Sequence, residues 1–344
     1  MRLRTAQTVL CAALLAVITA NSRAEKPSPQ PSALAVTAGD SKGTNGSTPL
    51  AAPATAVRRG NWLIEETENF SICRPVNYRY EADTGATLEK ARGELQEAWL
   101  PKNAAAGWRP KCQIVLHATS AGYLQAVGRG AEATTGSALV DFDKGRISAR
   151  KIDIRGDRPD WFAAALTHEL THVVLADRFI AVAIPHWADE GMAILADTQA
   201  KRGRHAVDLH AALGTGAEFR LAELLTLAGY PQPRRMGAFY GQSASLVDYL
   251  TTIGTREQLV AMVERATSHG YDVALREIYA VESVRHLERD WRNHVAATKA
   301  AAAKKAAAEK EKEALAAEPP MAKTAAAAKV VPVAAEPVGS AAME

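Results

Sequence analysis

Cysteine is nearly missing from this chain, with three in 344 residues, at positions 11, 73 and 112. Once the segment around Cys11 is set aside, at most one bridge can form, so a disulfide framework is not what holds the fold. Net charge is also small, at +3. That is too weak a footprint for nucleic acid, and no stretch interleaves lysine or arginine with aromatics as single-strand readers do. Nucleic acid is therefore excluded as a partner. The apolar run at 9–18 is short for a membrane span. No G-x-S-x-G pattern and no serine or cysteine nucleophile motif occurs, nor does any repeat of fixed period.

What is present at the start is a leader. Residues 1–24 carry Arg2 and Arg4, then the apolar run, then small residues ending in Ser22, Arg23 and Ala24. This is the layout of a secretory signal peptide, with cleavage expected after Ala24 and an uncleaved signal anchor as the alternative. The protein is then exported, to the periplasm, the envelope or the medium. In an oxidising compartment Cys73 and Cys112 either pair or stay as two buried thiols, because sequence does not set the distance between them. Residues 25–59 are Pro, Ser, Thr, Ala and Gly with almost no large apolar side chain, which predicts a flexible linker. Residues 298–344 are rich in Ala, Lys and Glu without an apolar stripe. A frayed helix followed by disorder after Pro319 is expected there, as a solvated tail or an envelope tether.

The folded unit expected between these ends has two halves, 60–159 and 160–297. In the first, 62–65 and 69–73 read as short strands, and Thr84 caps a helix with Leu88, Ala91, Leu95 and Trp99 on one face. Residues 112–118 read as a buried strand, Ser120 caps a short helix through Val127, and 137–142 pairs with 146–154 as a hairpin across Asp143, Lys144 and Gly145. The second half is helical, with segments predicted at 160–178, 189–199, 237–252, 256–268, 272–279 and 283–295. Strands first and helices afterwards give an α+β fold class, with a small N-terminal mixed sheet and a C-terminal helical subdomain.

The chemistry is concentrated in HELTH at 168–172, inside an apolar-periodic segment that Asp160 can cap and no Gly or Pro interrupts. Residues four apart on a helix share a face, so His168 and His172 can offer two imidazole nitrogens to one zinc ion. Glu169 projects about 100° round the cylinder, beside the ion, where it can act as a base instead of a ligand. A catalytic zinc takes a third protein ligand. The next polar cluster, IPHWADEGMAILAD, offers Glu190, eighteen positions beyond His172, on a second helix after the break at Pro185. His186 and Asp189 are rivals for that place, and each fits better as a group orienting an imidazole. His117, His205, His210, His269, His286 and His294 lack ligand spacing and are assigned to surface or packing.

HELTH followed by PHWADEGMA resembles the gluzincin pattern, and most of all the zincin-like bacterial peptidases called peptidase-MA-like. FYGQSASLVDYL at 239–250 is similar to the helix that follows the active site in that family, and 271–291 is similar to its closing helices. The resemblance covers 62–295, best after Asp160. It implies a zinc metallopeptidase acting on peptide or protein substrates, with an edge strand from 137–154 that holds an extended peptide by main-chain pairing, with little sequence preference. It also implies that Tyr240 donates a hydrogen bond to the oxyanion, beside the alternative of a core aromatic. One departure stands out: thermolysin-type enzymes have an aspartate four residues after the ligand glutamate, where this chain has Ile194. Asp189 or Asp197 is expected to replace it. A reading from another class is a zinc-containing envelope docking module without catalysis, against which the intact Glu169 argues.

Overall fold

The computed structural model describes residues 56–78, 83–101, 107–158 and 160–317. The expected signal peptide, nearly all of the linker and everything after Ala317 lie outside them. The first half is a six-stranded sheet with two helices: β1 (Val57–Arg59), β2 (Trp62–Glu66), β3 (Phe70–Pro75), α1 (Thr84–Trp99), β4 (Cys112–His117), α2 (Ser120–Val127), β5 (Gly136–Asp143) and β6 (Arg146–Arg155). The second half is helical: α3 (Thr167–Ala176), α4 (His186–Leu195), α5 (Gln199–Thr215), α6 (Leu221–Leu225), α7 (Met236–Ile253), α8 (Arg256–His269), α9 (Tyr271–Tyr279) and α10 (Val284–Ala317). The fold is α+β.

The strands lie in the order β1-β2-β3-β4-β6-β5. β3, β4 and β6 run parallel, while β1–β2, β2–β3 and β5–β6 pair antiparallel. The β5–β6 hairpin forms where the alternation predicts it. Its two turn residues, Lys144 and Gly145, take φ of 50° and 74°, the left-handed pair that a tight two-residue hairpin demands. β5 is therefore an edge strand of the sheet.

Several expectations need correction. The linker ends earlier than 59, because Val57–Arg59 pairs with β2, Val57 opposite Ile64. The helix expected over 160–178 is divided, with a π-helical turn at Phe162–Leu166 ahead of α3. Asp160 does not cap it and pairs with Arg158 at 3.2 Å. The cap of α2 is Thr119, whose hydroxyl accepts from the Gly122 amide, so Ser120 is the first helical residue. The helix expected at 189–199 starts at His186 and ends at Leu195, and Gln199 opens the unpredicted α5, capped by Thr198. The helix expected over 283–295 and the one expected at the start of the tail form a single helix that ends at Ala317, through Ala, Lys and Glu, which favour helix.

Cys73 and Cys112 are both free and buried. On neighbouring parallel strands Cys73 faces Val115 and Cys112 faces Phe70. They are three residues out of register, roughly 10 Å along the strand and on opposite faces, beyond bridging range.

Two apolar clusters fill the interior. One joins the sheet to the inner face of α3 through Phe70, Ile114, Ile152, Leu170, Val173 and Val174. The other joins the helices, with Leu175, Trp187, Met192, Phe239, Leu246 and Trp291. α3 contributes to both, and Leu95 of α1 packs against both. At the C-terminal end of α3 the Asp177 carboxylate takes a hydrogen bond from Trp108 Nε1 at 2.6 Å and an ion pair from Arg150. A carboxylate is unfavourable at a helix C-terminus, and these two donors offset that cost while tying α3 to the sheet.

Candidate active site

α3 and α4 lie against one another, with the Thr167 hydroxyl donating to the Ala196 carbonyl at 3.2 Å. This brings His168, His172 and Glu190 together: one ligand atom from each lies within 4.8 Å of the others, and all three are buried. His168 Nε2 is 3.5 Å from Glu190 Oε2. The two imidazoles sit with ring centroids 5.0 Å apart, as one helical turn dictates.

Each ring is held from behind by a carboxylate. His172 Nδ1 meets Asp189 Oδ1 at 2.8 Å, and His168 Nδ1 meets Asp197 Oδ2 at 3.2 Å. An ionised carboxylate only accepts, so each Nδ1 donates, and in the neutral ring Nε2 is the nitrogen left with a lone pair for the common point. Lys201 in turn donates to Asp197 at 2.8 Å. Both aspartates proposed in place of the residue at 194 thus have a ring to hold. His186 is not in the ligand set; it opens α4 and lies against the Tyr230 ring at 4.8 Å.

Burial works against charge throughout this site, and the partners decide the outcome. For His168, burial and Lys201 oppose the cation, yet Asp197 and Glu190 push its pKa up to about 10. His172 is likewise raised by Asp189 and Glu190 against the effect of burial. Burial alone would raise Glu190, but His168, His172 and the Tyr230 phenol bring it down to about 2. The surroundings therefore favour positive charge at the point where these groups meet. Glu169 differs: burial pushes its carboxyl up, and His168 and His172 only partly counter that. A raised carboxyl next to the ligands suits proton transfer.

Two polar atoms here are buried without a partner, His172 Nε2 and Glu169 Oε2. Such atoms are costly to leave bare. A divalent ion at the shared point would satisfy the first. Ligand atoms on a tetrahedral ion with bonds of about 2.0–2.1 Å stand roughly 3.4 Å apart, the spacing His168 and Glu190 already have. The donor set fits a metal.

Two features were not read from the sequence. The Tyr230 hydroxyl donates to Glu190 Oε1 at 2.5 Å, from the segment between α6 and α7. No spacing rule connects a loop tyrosine to a glutamate forty residues earlier. Gly136, at the start of β5, packs directly on Glu169: a Cβ there would lie 2.7 Å from Glu169 Cγ. Tyr240 is 8% exposed and packs against the rings of His205 (5.7 Å) and Phe239 (5.4 Å). Of the remaining histidines, His117 is buried against Asp153 at 2.8 Å.

Residues 99–297, more than half of the chain, match the family model of the Peptidase MA superfamily. The chain belongs to that superfamily. No curated protein matches it. The matched segment of this Peptidase MA chain runs from the end of α1 through the site and into α10. Membership makes it a peptidase-type metallohydrolase with peptide or protein substrates. Its site residues all fall inside the matched segment.

Proposed function

We propose that the chain is an exported, zinc-dependent peptidase of gluzincin type. His168, His172 and Glu190 hold the ion, and Glu169 is the general base. The observation that carries this reading is the convergence of three buried ligand atoms within 4.8 Å, with His172 Nε2 bare and an aspartate behind each imidazole. Two imidazoles and one carboxylate, with room left for water, is the donor set of a catalytic zinc. Zinc bound there supplies Lewis acidity, lowering the pKa of water and polarising the scissile carbonyl.

The chain's own residues do the rest. Glu169, its basicity raised by burial, takes a proton from the attacking water and delivers it to the leaving amine. Asp189 and Asp197 fix the orientation of the rings, and Tyr230 fixes Glu190. Tyr240 is the phenol that the family resemblance assigns to the oxyanion. Export rests on the pattern of residues 1–24, and envelope association on the uncleaved form of that leader or on the tail.

The test joins metal analysis to digestion. Purified protein should carry one zinc per chain and cleave members of a broad peptide library, with cleavage abolished by a chelator and restored by zinc. Glu169→Gln should lower turnover about 10²–10⁴-fold with zinc retained. Zinc-free protein that still hydrolyses peptides would sink the proposal.

A further inference from the structure

Hydrogen bonds hold the three candidate ligands in place. Asp197 and Asp189 hold the rings of His168 and His172, and the Tyr230 phenol holds Glu190. Glu169 is different, because its Oε2 is buried without a partner. Packing has to supply the direction that no donor supplies there. The neighbour that supplies it is Gly136: a Cβ at that position would stand 2.7 Å from Glu169 Cγ and 2.9 Å from its Oε1, closer than non-bonded atoms settle.

The backbone does not call for glycine at this position. Gly136 is outside the set of glycines with positive φ, and it pairs with Ile154 as the first residue of β5. Glycine weakens a strand, so its presence in one marks a place where another group comes close. The chain leading into Gly136 is itself pinned. The Thr134 hydroxyl donates its one proton to the Ala131 carbonyl at 2.9 Å, so the Tyr123 phenol, from α2, donates to Thr134 Oγ1 at 2.5 Å. Both side chains lie within the interior. The Arg155 amide donates to the Thr135 carbonyl at 3.0 Å, immediately before the glycine.

We propose that Gly136 is a positioning residue for Glu169, leaving the room that the base occupies beside the ligands, and that Tyr123 keeps Gly136 in place through Thr134. A side chain at 136 has to displace the Glu169 carboxylate or push β5 outwards, since Ile154 Cδ1 closes another direction at 3.0 Å. Either movement parts the base from the attacking water and leaves His168, His172 and Glu190 where they are. This inference rests on the peptidase reading for the role of Glu169 and adds two residues that act through it.

A double-mutant cycle on the zinc-loaded full chain, read in two ways, tests it. In the first, turnover of a peptide taken from the library digest is measured for Gly136→Ala, for Glu169→Gln and for both together. Gly136→Ala should lower kcat and kcat/KM together by about 10²-fold, the scale of a misplacement near 1 Å, with zinc affinity unchanged. Added to Glu169→Gln it should change nothing further, because residues acting through one group do not add. Losses that multiply, or full turnover in Gly136→Ala, overturn the inference and leave the peptidase reading intact. In the second, urea unfolding at saturating zinc compares the effect of Gly136→Ala in the unaltered chain and in Glu169→Ala. The midpoint should fall in the first and hold or rise in the second, where space has opened. Equal falls overturn the inference whatever the digestion shows. A fall confined to the unaltered chain, in protein that cleaves no peptide, keeps the contact and sinks the peptidase reading. Should Gly136→Ala not fold, Tyr123→Phe takes its place in the turnover cycle. Its kcat should drop roughly fivefold, with no drop in the Glu169→Gln background, and an unchanged kcat overturns the inference.

Discussion

His172 and Asp189 face each other from adjacent helices, Nδ1 to Oδ1 at 2.8 Å, both buried. The pair fixes the tautomer of the ring as well as its angle, because only Nδ1–H can serve an acceptor in that position. Asp189→Ala should therefore weaken zinc binding about 10–100-fold, with the helical circular dichroism retained. Competition with a chromogenic chelator measures this, and an unaltered affinity would remove Asp189 from any role in holding the ring.

Tyr230 makes a separate prediction. Its phenol meets Glu190 at 2.5 Å, and hydrogen bonds to a charged acceptor are among the stronger ones. Tyr230→Phe should lower zinc affinity by roughly tenfold while leaving the histidine–aspartate pairs in place. The same chelator titration detects it. A change in turnover at saturating zinc, without a change in affinity, would instead give the phenol a part in the reaction.

The first half of the fold has a pH-sensitive clamp. Glu89 of α1 accepts from Thr67 Oγ1 at 2.6 Å, from the Asn69 amide at 2.8 Å and from Asn69 Nδ2 at 2.6 Å. Burial opposes its charge, but these donors outweigh burial and hold its pKa below the ordinary 4.5. A depressed folded value means that the stabilisation is complete above the unfolded value and fades as pH falls through the folded one. Glu89→Gln should cost about 1 kcal/mol at neutral pH, a modest figure because the site is partly solvated. Below the ordinary carboxylate range the gap to the unaltered protein should shrink. Urea unfolding at pH 7 and at pH 3 checks both statements.

Cysteine chemistry gives a fourth expectation. With Cys73 and Cys112 out of register on parallel strands, and burial raising both thiols, neither should be oxidised. Alkylation in denaturant without reductant should modify both residues, as peptide mass mapping would show. Native protein should react slowly at each.

The ligand helix was legible because its chemistry is local. Two histidines one turn apart need nothing from the rest of the chain to share a face, and Glu169 is placed by the same helix. Glu190 was legible at one remove, since Pro185 ends one segment and the next polar cluster follows at once. The partners of the imidazoles were only half legible: Asp189 and Asp197 could be named, but which ring each would hold depends on how α4 turns about its axis. Tyr230 was not legible, because a tertiary path brings it to Glu190. α5 escaped notice for another reason. It buries few apolar side chains, Leu209 and Ala212 among them, and is otherwise largely polar, with Gly203 inside it, so no stripe announces it. β1 was hidden by two arginines, and its pairing with β2 is set by a hairpin instead of a buried face.

Helix α3 is a party wall between two rooms. Leu170, Val173 and Val174 furnish the side of the strands and Leu175 the side of the helices, so neither room can be opened without disturbing the masonry that carries His168 and His172. Heat or denaturant should accordingly strip metal and melt both compartments in a single cooperative event, and zinc loading should delay that event for the whole of 57–295.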